Sequence, residues 1–149
     1  MDGIEESLIP QLLELYRGTS WASERTAAEV RKMLINSDLV VAVVDDDGAL
    51  VAFARVLTDF VFFAMIFDVV VSPTTRGTGL GRSLLTELAE HPQLQEVASL
   101  ELVCQPELTG FYERFGFSAD VGRSLLMRRA PACDRYRHAP LPSDPATHR

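Results

Sequence analysis

The stretch Arg76-Gly77-Thr78-Gly79-Leu80-Gly81-Arg82-Ser83 places glycine at every second position between a β-branched run, Val69-Val70-Val71, and a leucine-spaced segment. Removing alternate side chains where a strand hands over to a helix lays bare the first N–H groups of that helix. These lack intrahelical partners and carry the positive end of the helix dipole. Such a joint binds anions, phosphates in particular, and Arg76 and Arg82 add positive charge on either side. A nucleotide-hydrolysing P-loop would close on Gly-Lys-Ser/Thr, because the lysine neutralises the terminal phosphates; here the run closes on Gly81-Arg82-Ser83. The dinucleotide fingerprint G-x-G-x-x-G would need glycine at Arg82 and an acidic residue closing the next strand, and it fails as well.

The elements that must hold this loop follow from periodicity. Ile4, Leu8, Leu12 and Leu15 predict a helix over 4–17, with Pro10 near its start, and Val30, Met33 and Leu34 predict a second over 26–36. Two apolar runs around Asp45-Asp46-Asp47-Gly48 read as a hairpin, so these carboxylates belong to an Asp-Gly turn and no metal site is assigned. The apolar run Phe60–Phe67 reads as buried strand and hairpin, and a strand over 66–71 ends before Pro73. A helix over 80–91 stops at Pro92, a strand spans 98–104, a helix that opens at Pro106 closes on Gly116, and 123–129 reads as a last strand. The order predicts one α/β domain over 1–130, a mixed sheet flanked by helices, followed by an irregular tail over 131–149 with four prolines.

With these elements in place, Arg76-Gly77-Thr78-Gly79-Leu80-Gly81 resembles the R/Q-x-x-G-x-G/A pyrophosphate loop of the GCN5-related N-acetyltransferases (GNAT). The segment Gly110–Phe117, GFYERFGF, is similar to the tyrosine-bearing helix and Gly-Phe turn of that family, at matching separation from the loop. SWA at 20–22 and AFARVLTDF at 52–60 resemble a bacterial subgroup whose substrates are mostly unassigned, so the resemblance covers residues 4–130. It implies a mainly antiparallel sheet. The family usually begins with a short strand before its first helix, whereas this chain starts almost in that helix, so the expectation is either a sheet without its first strand or a truncated chain.

The resemblance also implies a reaction: transfer of an acetyl group from acetyl-CoA to a primary amine of a small molecule or peptide. The N–H groups of the loop, from Arg76 through Gly77, Thr78, Gly79, Leu80, Gly81 and Arg82 to Ser83, would hold the CoA pyrophosphate. The backbone of Val69, Val70 and Val71 would bond the pantetheine arm as a substitute strand, and the N–H of Val69 or Val70 would polarise the thioester carbonyl. Tyr112 is the expected general acid for the departing thiolate, since a phenol near pKa 10 can donate to it. Asp68 is the candidate that takes the amine proton, directly or through water. Tyr16, Trp21, Phe60 and Phe62 are candidates for the acceptor pocket. Other readings of the same fold are a noncatalytic acyl-CoA sensor and an interaction module with an exposed sheet edge.

Composition narrows the rest. At 149 residues with net charge −7, the chain lacks the basic character that nucleic acid or anionic membrane binding requires. Cys104 and Cys133 form neither a disulfide framework nor a metal-ligand spacing, and Cys104, with no histidine near it in sequence, reads as a structural thiol. The N-terminal segment carries no signal-peptide pattern, and the longest apolar run is far short of the roughly 20 residues of a membrane span. The expectation is a cytoplasmic protein without a metal cofactor; a homodimer is one option, and the sequence does not fix the oligomeric state.

Overall fold

Thr26 opens the second helix with a reciprocal cap: its hydroxyl accepts from the Glu29 N–H at 3.3 Å, and the Glu29 carboxylate accepts from the Thr26 N–H at 2.9 Å. A computed structural model describes residues 5–129. In it α1 (Ile9–Arg17) carries Pro10 in its first turn, where a missing N–H costs nothing, and α2 (Ala27–Ile35) follows the Thr26 cap. The hairpin of β1 (Leu39–Val44) and β2 (Leu50–Thr58) turns on Asp45, whose carboxylate accepts from the N–H groups of Asp47 and Ala49. After β3 (Ala64–Val71) come α3 (Leu80–Ala89), the short β4 (Leu100–Leu102) and α4 (Thr109–Glu113).

The strands form one open sheet in the order β1-β2-β3-β4, with β3 antiparallel to β2 and parallel to β4. This is the expected mixed α/β sheet, and among the described residues no strand precedes α1. The sheet is covered on both faces. On one, Ile9, Leu12 and Tyr16 of α1 and Val30 of α2 bury Leu50, Phe53 and Val70. On the other, Leu84, Leu85 and Leu88 of α3 pack on Ala52, Ala54, Val56, Ala64 and Ile66, with Tyr112 in the same cluster. The alanines of β2 let α3 lie close to the sheet, and large side chains fill the opposite face.

Two expectations fail. Residues 123–129 form no strand: Leu125, Leu126 and Met127 are consecutive and exposed, so the run has no alternation from which to build one buried face. Phe60–Phe63 are not buried strand either. Asp59 Oδ1 accepts from the N–H groups of Val61, Phe62 and Phe63 at 2.8 to 3.0 Å and folds these residues into a solvent-facing turn before β3 begins. All helices and strands among the described residues fall within the first of two units, which divide after Ser118. The Pro-rich stretch 131–149 and Cys133 lie outside the described residues.

Candidate functional site

The alternate glycines do what their spacing predicts. Gly77 and Gly79 take φ of 80° and 87°, left-handed values that side-chain-bearing residues rarely adopt, and a Cβ on either would meet nothing within 4 Å. Gly79 is the N-cap of α3 and supplies no side-chain cap. Its carbonyl accepts from the Ser83 N–H at 3.0 Å. Among the described residues no backbone carbonyl is recorded as taking the loop N–H groups of Gly77, Gly79 or Leu80. The result is an uncapped helix N-terminus with open donors, flanked by Arg76 and Arg82. Gly81 serves differently: a Cβ there would stand 3.5 Å from Phe111 Cζ and 3.7 Å from Val71 Cγ2, so the start of α3 is packed against both β3 and α4.

The loop lies at the end of a strand whose far edge is open. β3 pairs with β4 only from Ala64 to Ile66, opposite Leu100 to Leu102, while β3 itself runs on to Val71. Beyond Ile66 the β4-side edge of β3 therefore offers backbone groups to an added strand or an extended ligand.

Between the paired and open parts, β3 is bulged. Phe67 pairs with Arg55 and Val70 with Phe53, so Asp68 and Val69 both stand against Ala54. Asp68 takes φ 58°, a left-handed value that aspartate tolerates better than most residues. The extra residue reverses the alternation of β3: Ala64 and Ile66 face the α3 side, and beyond the bulge it is Val69 and Val71 that do. Asp68 is turned to the side of α1 and α2. There its carboxylate, 4% exposed, accepts from Arg25 at 2.7 and 3.1 Å, from Arg55 Nε at 2.7 Å and from the Tyr16 hydroxyl at 3.1 Å. Burial raises the pKa of this acid, but the two guanidinium groups outweigh it and hold it below the usual carboxylate range. Burial and the Asp68 charge push the Tyr16 phenol far up.

Asp68 thus has other partners than the proton-acceptor role requires: it is ionised, but its basicity is low and three donors already fill its oxygens. Tyr16 is likewise fully buried, edge-on to Trp21 and Phe53, and meets Asp68 through its hydroxyl instead of lining an open pocket. Phe60 and Phe62 sit in the turn before β3, at the other end of that strand from the glycine loop. Two members of this cluster, Arg25 and Arg55, stand outside both the glycine loop and the tyrosine-bearing segment. A signal existed for Arg55, a charge inside the otherwise apolar run VAFARVL, with Asp68 as its counterpart inside MIFDVVV.

Tyr112 lies in α4, largely buried between Phe111 and Phe117. Burial raises the pKa of its phenol, and Cys104 just past β4, packed against the same core cluster, adds to the shift. No partner is recorded for its hydroxyl among the described residues, and no polar atom is buried without one, so the hydroxyl reaches solvent. The Cys104 thiol is itself raised, by burial and by Glu107, which makes it a poor nucleophile. Among the described residues no group of three or more His, Cys, Asp and Glu side chains is placed to hold a metal ion. A cleft of about 520 Å³ opens between α1 (Gln11, Glu14, Arg17) and Val71–Pro73, and shares Arg76 with the glycine loop.

Residues 10–128 match the family described as acetyltransferase (GNAT) domain. An uncharacterised N-acetyltransferase, ycf52, of Pyropia yezoensis is 31% identical over 113 residues, 74% of this chain and 64% of the relative. The chloroplastic serotonin N-acetyltransferase 2 of Oryza sativa is 41% identical over 73 residues, 49% of this chain and 36% of that protein. The chain thus spans under two thirds of these relatives' lengths. Among solved structures, a GNAT-family acetyltransferase of Xanthomonas campestris superposes with a TM-score of 0.73 at 33% identity, covering 86% of this chain and 87% of the other.

Proposed function

Because the chain belongs to the GNAT acetyltransferase family, we propose that it transfers an acetyl group from acetyl-CoA to a primary amine of a small molecule or peptide, by direct attack of the amine on the thioester. One observation carries the reading: an uncapped helix N-terminus with open N–H donors stands at the end of a strand whose neighbouring edge is unpaired. A pyrophosphate fits the first and an extended amide-bearing arm fits the second. Acetyl-CoA, when bound, supplies the activated acyl group.

The roles of the chain's own groups follow. N–H groups from Gly77 to Arg82 bind the pyrophosphate with the help of the α3 dipole and of Arg76 and Arg82. Val69, Val70 and Val71 present backbone donors and acceptors to the arm, and the N–H of Val69 or Val70 stabilises the developing oxyanion. Tyr112, with its pKa raised, stays protonated through neutral pH and gives its proton to the departing sulfur. The amine loses its proton to water or to a group of the acceptor-bound complex, because Asp68 is committed to its arginines. No helix among the described residues is long and apolar enough to cross a membrane. We keep the cytoplasm as the proposed compartment, although relatives include chloroplastic proteins.

The test is thiol release from acetyl-CoA against a panel of arylalkylamines, polyamines, amino acids and peptides, with mass spectrometry of the acceptor. Acetylated amine formed in step with free thiol supports the proposal. Tight acetyl-CoA binding with no thiol release across the panel favours the acyl-CoA sensor instead.

A further inference from the structure

The bulge of β3 is held from three elements at once. Tyr16 reaches Asp68 from α1, Arg25 from the segment between α1 and α2, and Arg55 from β2. Arg25 is further fixed by stacking, with its Cζ 4.7 Å from the Tyr16 ring centroid and 5.5 Å from that of Trp21, and Arg55 lies 4.8 Å over Phe67. Ser37 Oγ takes a longer contact from Arg55 and in turn donates to the Met33 carbonyl, which ties the cluster to the end of α2. Asp68 is a non-glycine residue in left-handed backbone, a conformation that persists only where the surroundings impose it. The bulge in turn decides which way the N–H groups of Val69 and Val70 point.

We infer that Tyr16, Arg25 and Arg55 clamp Asp68 so as to fix the bulge, and that all four are positioning residues for the Val69 or Val70 N–H, with no proton transfer through Asp68. This rests on the acetyltransferase reading for its kinetic consequence, but the clamp itself can be measured without turnover. It also couples the segment carrying Trp21 and Arg25 to the open edge of β3, so that a ligand that shifts this segment also shifts the bulge.

The charged and titratable groups that meet Asp68 among the described residues are Tyr16, Arg25 and Arg55. Asp68→Asn keeps a side chain that tolerates positive φ but removes the charge. Asp68→Gly removes the anchor at no backbone strain and serves where the first variant does not fold. Arg55→Met keeps the stem and removes the donor. The clamp predicts faster amide hydrogen exchange at the β2-bonded amides of β3 around the bulge in all three, by at least about tenfold beyond any change in β1. It predicts kcat reduced about 10- to 100-fold, KM for acetyl-CoA within about threefold, and an acidic limb of the pH–rate profile unmoved in Asp68→Asn. The Asp68→Asn/Arg55→Met double variant should be little worse than either single variant. Exchange at the β2-bonded amides around the bulge that rises no more than exchange in β1, or loss of the acidic limb in Asp68→Asn alone, overturns the clamp. A wild type with normal exchange protection and no thiol release removes the acetyltransferase reading and leaves the clamp standing.

Discussion

Arg55 Nε donates to Asp68 Oδ2 at 2.7 Å across the antiparallel pair β2–β3, at the one place where Ala54 faces two residues of the partner strand. A charge pair inside a sheet thus coincides with the bulge that separates the β4-bonded half of β3 from its open half.

The pair makes stability depend on acid. Asp68 is depressed in the folded state, so its contribution is complete above the unfolded value near pH 4 and is lost as pH falls through the lower folded value. Asp68→Asn leaves two guanidinium groups without their shared carboxylate and should cost about 3 to 5 kcal/mol at pH 7. Urea titrations of both proteins at pH 7 and pH 3 check this, with the gap narrowing at the lower pH.

The glycines of the loop separate by mechanism. Gly79→Glu introduces a side chain at φ 87° and a like charge facing a pyrophosphate, and should weaken acetyl-CoA binding by more than about tenfold. Gly79→Ala adds no clash but carries a left-handed strain of about 1 to 2 kcal/mol. Gly81→Ala meets Phe111 and Val71 at ordinary contact distance and should be tolerated in both stability and affinity. Calorimetry and thermal melts of the three variants distinguish these effects.

Much of this arrangement is legible in the chain. The Asp-Gly hairpin and the alternate glycines each act through local geometry, so their positions follow from residues a few places apart. The environment of Asp68 depends on a bulge, and a one-residue insertion in the ladder reverses facing without altering any local pattern. That is why Asp68 reads as a free carboxylate in sequence and is an ion-paired one in the fold. Phe60–Phe63 mislead for a related reason: apolar composition predicts burial, but three N–H groups collected by Asp59 turn the segment outward.

That turn gives a stability prediction. Phe62→Ser should change stability by less than about 0.5 kcal/mol because the ring is largely in water. Asp59→Ala should lower the melting temperature further than Phe62→Ser does, by releasing the three N–H groups and the left-handed Phe60. Paired thermal melts test the order of the two.

Tyr112→Phe keeps the ring between Phe111 and Phe117, so fold and acetyl-CoA affinity should survive. Loss of the proton donor should lower kcat about 100-fold, the smaller end of the range for a general acid, because a thiolate leaves tolerably unassisted. Single-turnover rates at several pH values check it, and a wild-type rate with chemistry limiting returns Tyr112 to packing alone.

The central claim is that the open edge of β3 and the N-terminus of α3 together form the acetyl-CoA site. Amide chemical shifts recorded during an acetyl-CoA titration of the 15N-labelled protein test it most directly. The account predicts the largest saturable shifts at Val69–Val71 and Gly77–Arg82, with the Tyr112 region following. Saturable shifts confined to the α1 cleft at Gln11, Glu14 and Arg17, with the loop amides unmoved, would contradict it.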